Sequence, residues 1–78
     1  MRINAETAHK LSDYIIEGAK ASTSADFDAL GRALLGVRMI QINKDGSICN
    51  TYAITKRKYC NADWRAIELI DDAIKNNF

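Results

Sequence analysis

The sequence predicts an α+β domain with elements in the order α-α-β-β-α and an antiparallel β-hairpin packed on helices. Three observations carry that reading. Apolar residues recur at helical spacing on both sides of a central stretch. That stretch, Val37 to Lys58, holds two β-prone runs joined by Lys44-Asp45-Gly46. The chain has no proline, repeat or low-complexity tract to mark a linker, and 78 residues enclose only one core, so residues 1–78 read as a single domain. A domain of this size buries roughly 60% of its unfolded surface, which leaves a thin margin of stability.

The first helix is expected to start at Asn4, a good N-cap, with Glu6 in the first turn where the helix dipole favours it. Ala8, Leu11, Ile15 and Ala19 form its inward stripe. His9, Lys10, Asp13, Glu17 and Lys20 fall on the solvated arc, with Glu6 and Lys10 spaced for an i,i+4 pair. Gly18 to Ser22 weakens the helix and ends it.

Ser22, Thr23 and Ser24 are three successive candidate caps for a second helix, with Asp26 and Asp28 near its positive end. Phe27, Leu30, Gly31 and Leu34 are spaced to face a neighbour, with Gly31 permitting close approach, and Gly36 is placed as the terminating C′ residue.

The hairpin register can be argued from the side chains. A three-residue loop with Gly46 left-handed pairs Asn43 with Ser47 and puts Ile40, Ile42, Ile48, Tyr52 and Ile54 on one face. A two-residue Asp45-Gly46 loop would split those residues between faces. The other face carries Val37, Met39, Gln41, Cys49, Thr51, Ala53 and Thr55.

The last helix is expected to open at Asn61 as cap, with Asp63 in its first turn. Ala62, Ala66, Ile67, Leu69, Ile70, Ala73, Ile74 and Phe78 spread over a wide apolar arc. This suits packing on the sheet and the helical hairpin, or a homodimer formed through this helix. Glu68, Asp71, Asp72 and Asp63, interleaved with Arg65 and Lys75, read as a salt-bridged solvent face. The element order differs from a double-stranded-RNA-binding domain, with its single helix before three strands, and from a winged helix, whose third helix precedes the wing. In order alone it resembles small antitoxins of the Phd/YefM type, without their initial strand, and no residue-level motif assigns a family.

A net charge of +1 argues against nucleic-acid binding by bulk electrostatics and against an acidic DNA mimic. His9 is the one histidine. No phosphate loop, nucleophile context or metal-ligand spacing is present, so the expectation is no enzyme, no cofactor and no metal. Cys60, just before a helix start, is a weak candidate for a reactive thiol, and Cys49 and Cys60 read as free thiols or, less simply, as one bridge. With no membrane-length apolar run and no signal-peptide core, the expected compartment is the cytoplasm.

The densest positive charge lies at Lys56, Arg57 and Lys58, with Tyr59 and Trp64 close by and Arg38 as an outlying contributor. Basic and aromatic side chains together can anchor a protein interface or hold phosphates and stacked bases. The bland alternative is a solvated strand end with Trp64 closing the core. The preferred expectation is a small non-catalytic regulator or inhibitor that sterically occupies a larger protein with an acidic surface. Bacteriophages and mobile elements use proteins of this kind against host defence, anti-CRISPR proteins among them. The alternative is a nucleic-acid-binding accessory using the same residues; no membrane partner is expected.

Overall fold

Asn4 caps the first helix as expected, its side-chain oxygen accepting the Thr7 N–H at 2.8 Å, and α1 (Ala5–Ala19) stops at Lys20, whose φ of 47° is left-handed. The computed structural model describes residues 1–55 and 58–78. Leu11 and Ile15 are the buried residues of α1. His9 and Asp13 are exposed, and among the described residues no ion pair joins Glu6 to Lys10.

Thr23 caps α2 (Ser24–Val37) through a reciprocal box: its hydroxyl accepts the Asp26 N–H at 3.1 Å, and the Asp26 carboxylate accepts the Thr23 N–H at 3.2 Å. The inward face of this helix differs from expectation. Ala29, Ala33, Gly36 and Val37 are buried, Leu30 and Leu34 are half-buried, and Phe27 and Gly31 face solvent. Gly36 does not terminate the helix. It lies inside α2 at a close approach, where an added Cβ would stand 2.7 Å from Ile70 Cδ1 and 3.2 Å from Tyr52 Cδ2. Small residues hold the face toward α3 because that helix comes near, while Leu34 packs half-buried against the rest of the core and Phe27 stays in solvent. Val37, expected in the hairpin, is the last residue of the helix.

The hairpin has the expected register. β1 (Ile40–Ile42) pairs antiparallel with β2 (Ile48–Asn50), Ile42 opposite Ile48, and Asn43 donates its N–H to Ser47 O at 2.8 Å. Gly46 has φ 87°, the left-handed value the loop requires. Two features were not anticipated. Arg2 bridges Gln41 antiparallel, and Met1 and Ile42 exchange both backbone hydrogen bonds, at 2.9 and 2.6 Å, so an extended N-terminal segment lies along the outer side of β1. The second strand also stops early. Thr51–Ile54 forms a 3-10 turn that keeps Tyr52 in the core but leaves Ile54 67% exposed instead of on the isoleucine face.

Cys60, not Asn61, is the N-cap of α3 (Asn61–Asn77). Its wide apolar arc is largely consumed within the chain: Ala66, Ile67, Ile70 and Ala73 are buried, Leu69 and Ile74 are half-buried, and of the expected arc only Phe78 is exposed. Pairings along the helices set their directions. Arg32 meets Asp63 and Gly36 meets Ile70, in the same order on both helices, so α2 and α3 run parallel. Tyr14 reaches Asp72, and Glu6 and Asn77 share one groove while Gly18 and Arg65 share another, so α1 runs antiparallel to α3. The hairpin and the 3-10 turn return the chain from the end of α2 to the start of α3. Leu11, Ile15, Val37, Ile40 and Ile70 are the largest fully buried side chains, where the three helices meet the sheet. Among the described residues, no helix is long and apolar enough to cross a membrane.

Two glycines in one helix should respond oppositely to alanine. Gly36→Ala must displace Ile70 or the Tyr52 ring and is expected to cost about 1–3 kcal/mol. At Gly31 an added Cβ meets nothing within 4 Å, so Gly31→Ala should stabilise by about 0.5–1 kcal/mol through helix propensity. Urea denaturation of both variants measures this, and equal signs would contradict the seam described here. The Asp26 carboxyl is held below its ordinary value, chiefly by the Ser22 N–H and then by Thr23. A lowered folded-state value contributes stability that is present above the unfolded carboxyl range, near pH 4, and is lost as the pH falls through the folded value. Asp26→Asn is therefore expected to flatten the acid limb of a stability–pH profile and leave its neutral-to-alkaline shape unchanged.

Candidate functional site

Asp63 occupies the N3 position of α3, where a carboxylate normally meets solvent and the helix dipole. Here it is 3% exposed, correcting its expected place on a solvent face. Its burial is supported by donors from three segments. Tyr52 donates its phenol O–H to Oδ1, the Cys60 N–H donates to Oδ2 at 3.1 Å, the Cys60 thiol lies 3.2 Å from Oδ2, and Arg32 Nη1 stands 3.3 Å from Oδ1. Arg32 in turn pairs its Nε with Asp28 at 2.9 Å. The hydrogen bond and charge of Asp28, with Cys60 and Asp63 behind it, raise the Arg32 guanidinium above its ordinary value. A buried carboxylate this well supplied with donors joins α2, the 3-10 turn and the start of α3 at one point.

Aromatic rings lead outward from that point. Tyr52 is buried and stacks on Tyr59, with centroids 6.1 Å apart and planes at 24°. Tyr59 is half-buried and meets Trp64 edge to face at 5.0 Å and 71°. The Tyr59 hydroxyl is bonded to the Tyr52 carbonyl, lies 3.1 Å from the Thr55 carbonyl and 2.7 Å from the Thr55 hydroxyl. These contacts fix the position of its hydroxyl end. Trp64 ends the series on the surface, 55% exposed.

Of the six residues singled out in the sequence, the structure brings Tyr59 and Trp64 into contact, and Lys58 is exposed beside them in the chain. Lys56 and Arg57 lie outside the described residues. Arg38 is exposed at the end of α2 and lines a different groove, about 640 Å³, with Arg2, Ile3, Ile16 and Leu34. A second groove of about 500 Å³, between the first turns of α2 and α3, borders the corner and is lined by Asp28, Ala29, Cys60, Ala62 and Arg65 among others.

The sequence reading missed Asp63 as the hub and Arg32 as its ion partner. One signal was available: a core tyrosine at position 52 needs an acceptor for its hydroxyl, and Asp63 sits between two aromatic residues of the same corner. Cys49 is half-buried, Cys60 is exposed, and both are free thiols. Among the described residues, no three metal-ligating side chains gather. No family model, curated protein or solved structure matches this chain.

Tyr52→Phe removes a donor to a buried carboxylate without altering ring packing. It is expected to destabilise by about 1–3 kcal/mol. The midpoint of urea unfolding, followed by the fluorescence of the single tryptophan, Trp64, reads this out. A midpoint equal to the parent's would mean that the hydroxyl contributes nothing to the hub.

Proposed function

We propose that this protein acts without catalysis, by binding: a small cytoplasmic regulator or inhibitor that covers a surface of a larger protein. The observation that carries this reading is Trp64. Its ring is more than half exposed, yet braced against Tyr59, itself stacked on the buried Tyr52. An exposed tryptophan held this way has little rotamer freedom left to lose on binding, which is the property of an interface anchor. Lys58 beside it, with Lys56 and Arg57 next in sequence, supplies positive charge to steer an acidic partner surface. The cytoplasmic assignment is supported by the two free thiols, one of them exposed.

The nucleic-acid reading uses the same lysines and the same exposed ring. It is disfavoured by the net charge of +1, which gives little bulk attraction for a phosphate backbone.

Lys58→Glu changes an exposed side chain and is expected to leave the melting profile close to the parent's. Trp64→Ala, which also loses its edge contact with Tyr59, should cost about 0.5–1.5 kcal/mol and stay folded. Tyr59→Ala is a poor probe because it would strip support from Tyr52. The test is co-purification from lysate of the source organism, with and without nuclease. The expected result is a protein partner that survives nuclease, binds with modest salt dependence and is lost with Trp64→Ala. A partner retained by Trp64→Ala would overturn the anchor. Binding that disappears with nuclease and falls log-linearly with salt would replace the protein reading with the nucleic-acid one.

A further inference from the structure

The outward face of α2 carries a pattern that packing within the chain does not explain. Ser24, Phe27, Asp28, Gly31, Leu35 and Arg38 are all exposed, opposite the buried Ala29, Ala33 and Gly36. Phe27 and Leu35 are 60% and 67% exposed, one turn before and one turn after Gly31. Gly31 is in the middle of a helix, where glycine is unfavourable, and nothing lies within 4 Å of the Cβ it lacks. Unlike Gly36, it admits no neighbour from its own chain.

Phe27, Gly31 and Leu35 form an i, i+4, i+8 row, the ridge that interdigitates with its own kind when two helices cross at about −50°. A glycine at the crossing point lets the axes approach, with a large apolar side chain on either side to fill the gap. We propose that this face binds α2 of a second copy of this chain, packed antiparallel about a two-fold axis at Gly31. A two-fold pairing places Phe27 of each copy beside Leu35 of the other, so the surface is complementary to itself.

Charge selects the same occupant. On this face acidic Asp28 lies in the first half of α2 and basic Arg38 at its end, whereas Asp26 is held in the N-cap box and Arg32 turns toward Asp63. Antiparallel pairing brings Asp28 of one copy toward the Arg38 end of the other and opposes the two helix dipoles. Arg38 takes part in no ion pair among the described residues, and the Asp28 side chain is 53% exposed despite its bond to Arg32, so both can contribute across the axis. Self-association, expected from the sequence through the last helix, is thereby located on the second. It uses none of Lys58, Tyr59 or Trp64, so it stands apart from the proposed partner-binding corner. The contact spans about one turn on each side of the crossing, which fits a reversible dimer and not an obligate one.

Sedimentation equilibrium of the full chain over a concentration series tests the proposal. The expected result is a monomer–dimer equilibrium that Leu35→Glu and Gly31→Gln each weaken by roughly tenfold or more, with melting midpoints showing both variants folded. Gly31→Cys gives a second readout independent of those variants. Only a residue near a two-fold axis meets its own counterpart, so oxidation should yield a covalent dimer linked between the two position-31 residues on peptide mapping. A chain that stays monomeric into the hundreds of micromolar overturns the proposal. So does a dimer that both variants retain, or a Gly31→Cys chain whose position-31 residues form no crosslink with each other, the parent with its own exposed Cys60 serving as the background control.

Discussion

The seam between α2 and α3 is the constraint on which the rest of this fold depends. Two parallel helices come close enough that Gly36 has no room for a methyl group against Ile70 and Tyr52, and Ala29, Ala33, Ala66 and Ala73 line the buried faces. That approach turns small side chains inward on α2 and leaves Phe27 and Leu35 outside. It also makes the hairpin a connector, because a parallel neighbour can be reached only by carrying the chain back to the end at which α2 began.

Asp63 has the complementary role. Small residues define how near α2 and α3 lie, but a smooth alanine seam tolerates sliding. A buried carboxylate that must meet Arg32, Tyr52 and the Cys60 amide together does not. The hub thus pins the longitudinal position of the helices and fixes the aromatic series that ends at Trp64. A surface anchor is held rigid here by a polar joint one layer below it.

Much of the architecture was legible in the sequence because it rests on local rules. Asn4 and Thr23 cap helices by side-chain chemistry visible within four residues, and Gly46 with its flanking isoleucines defines the hairpin register. The errors arose where distant residues decide. No local signal says that Gly36 meets Ile70, so it read as a helix terminator. Phe27 outranks alanine in any hydrophobic stripe, yet the close approach of α3 is met by Ala29, Ala33 and Gly36 instead. Tyr52 was correctly placed in the core, but its conformation was not, because a strand continuing past Asn50 would carry the chain away from α3. At the candidate site the aromatic members were found and the acidic hub was not. An acidic N3 residue satisfies the ordinary capping rule, which masks its burial until the partners from α2 and the 3-10 turn are known.

The parallel seam also bears on the order of assembly. The helical hairpin of α1 and α2 closes over a few residues and can form early, but α3 cannot dock until the segment from residue 38 to residue 60 has turned back along α2. Its principal helix–helix contact is therefore non-local, although the secondary structure is mostly helical. Loop-closure entropy has to be met before that contact gives anything back, so the domain should fold more slowly than an up-and-down bundle of the same length, with α3 arriving last.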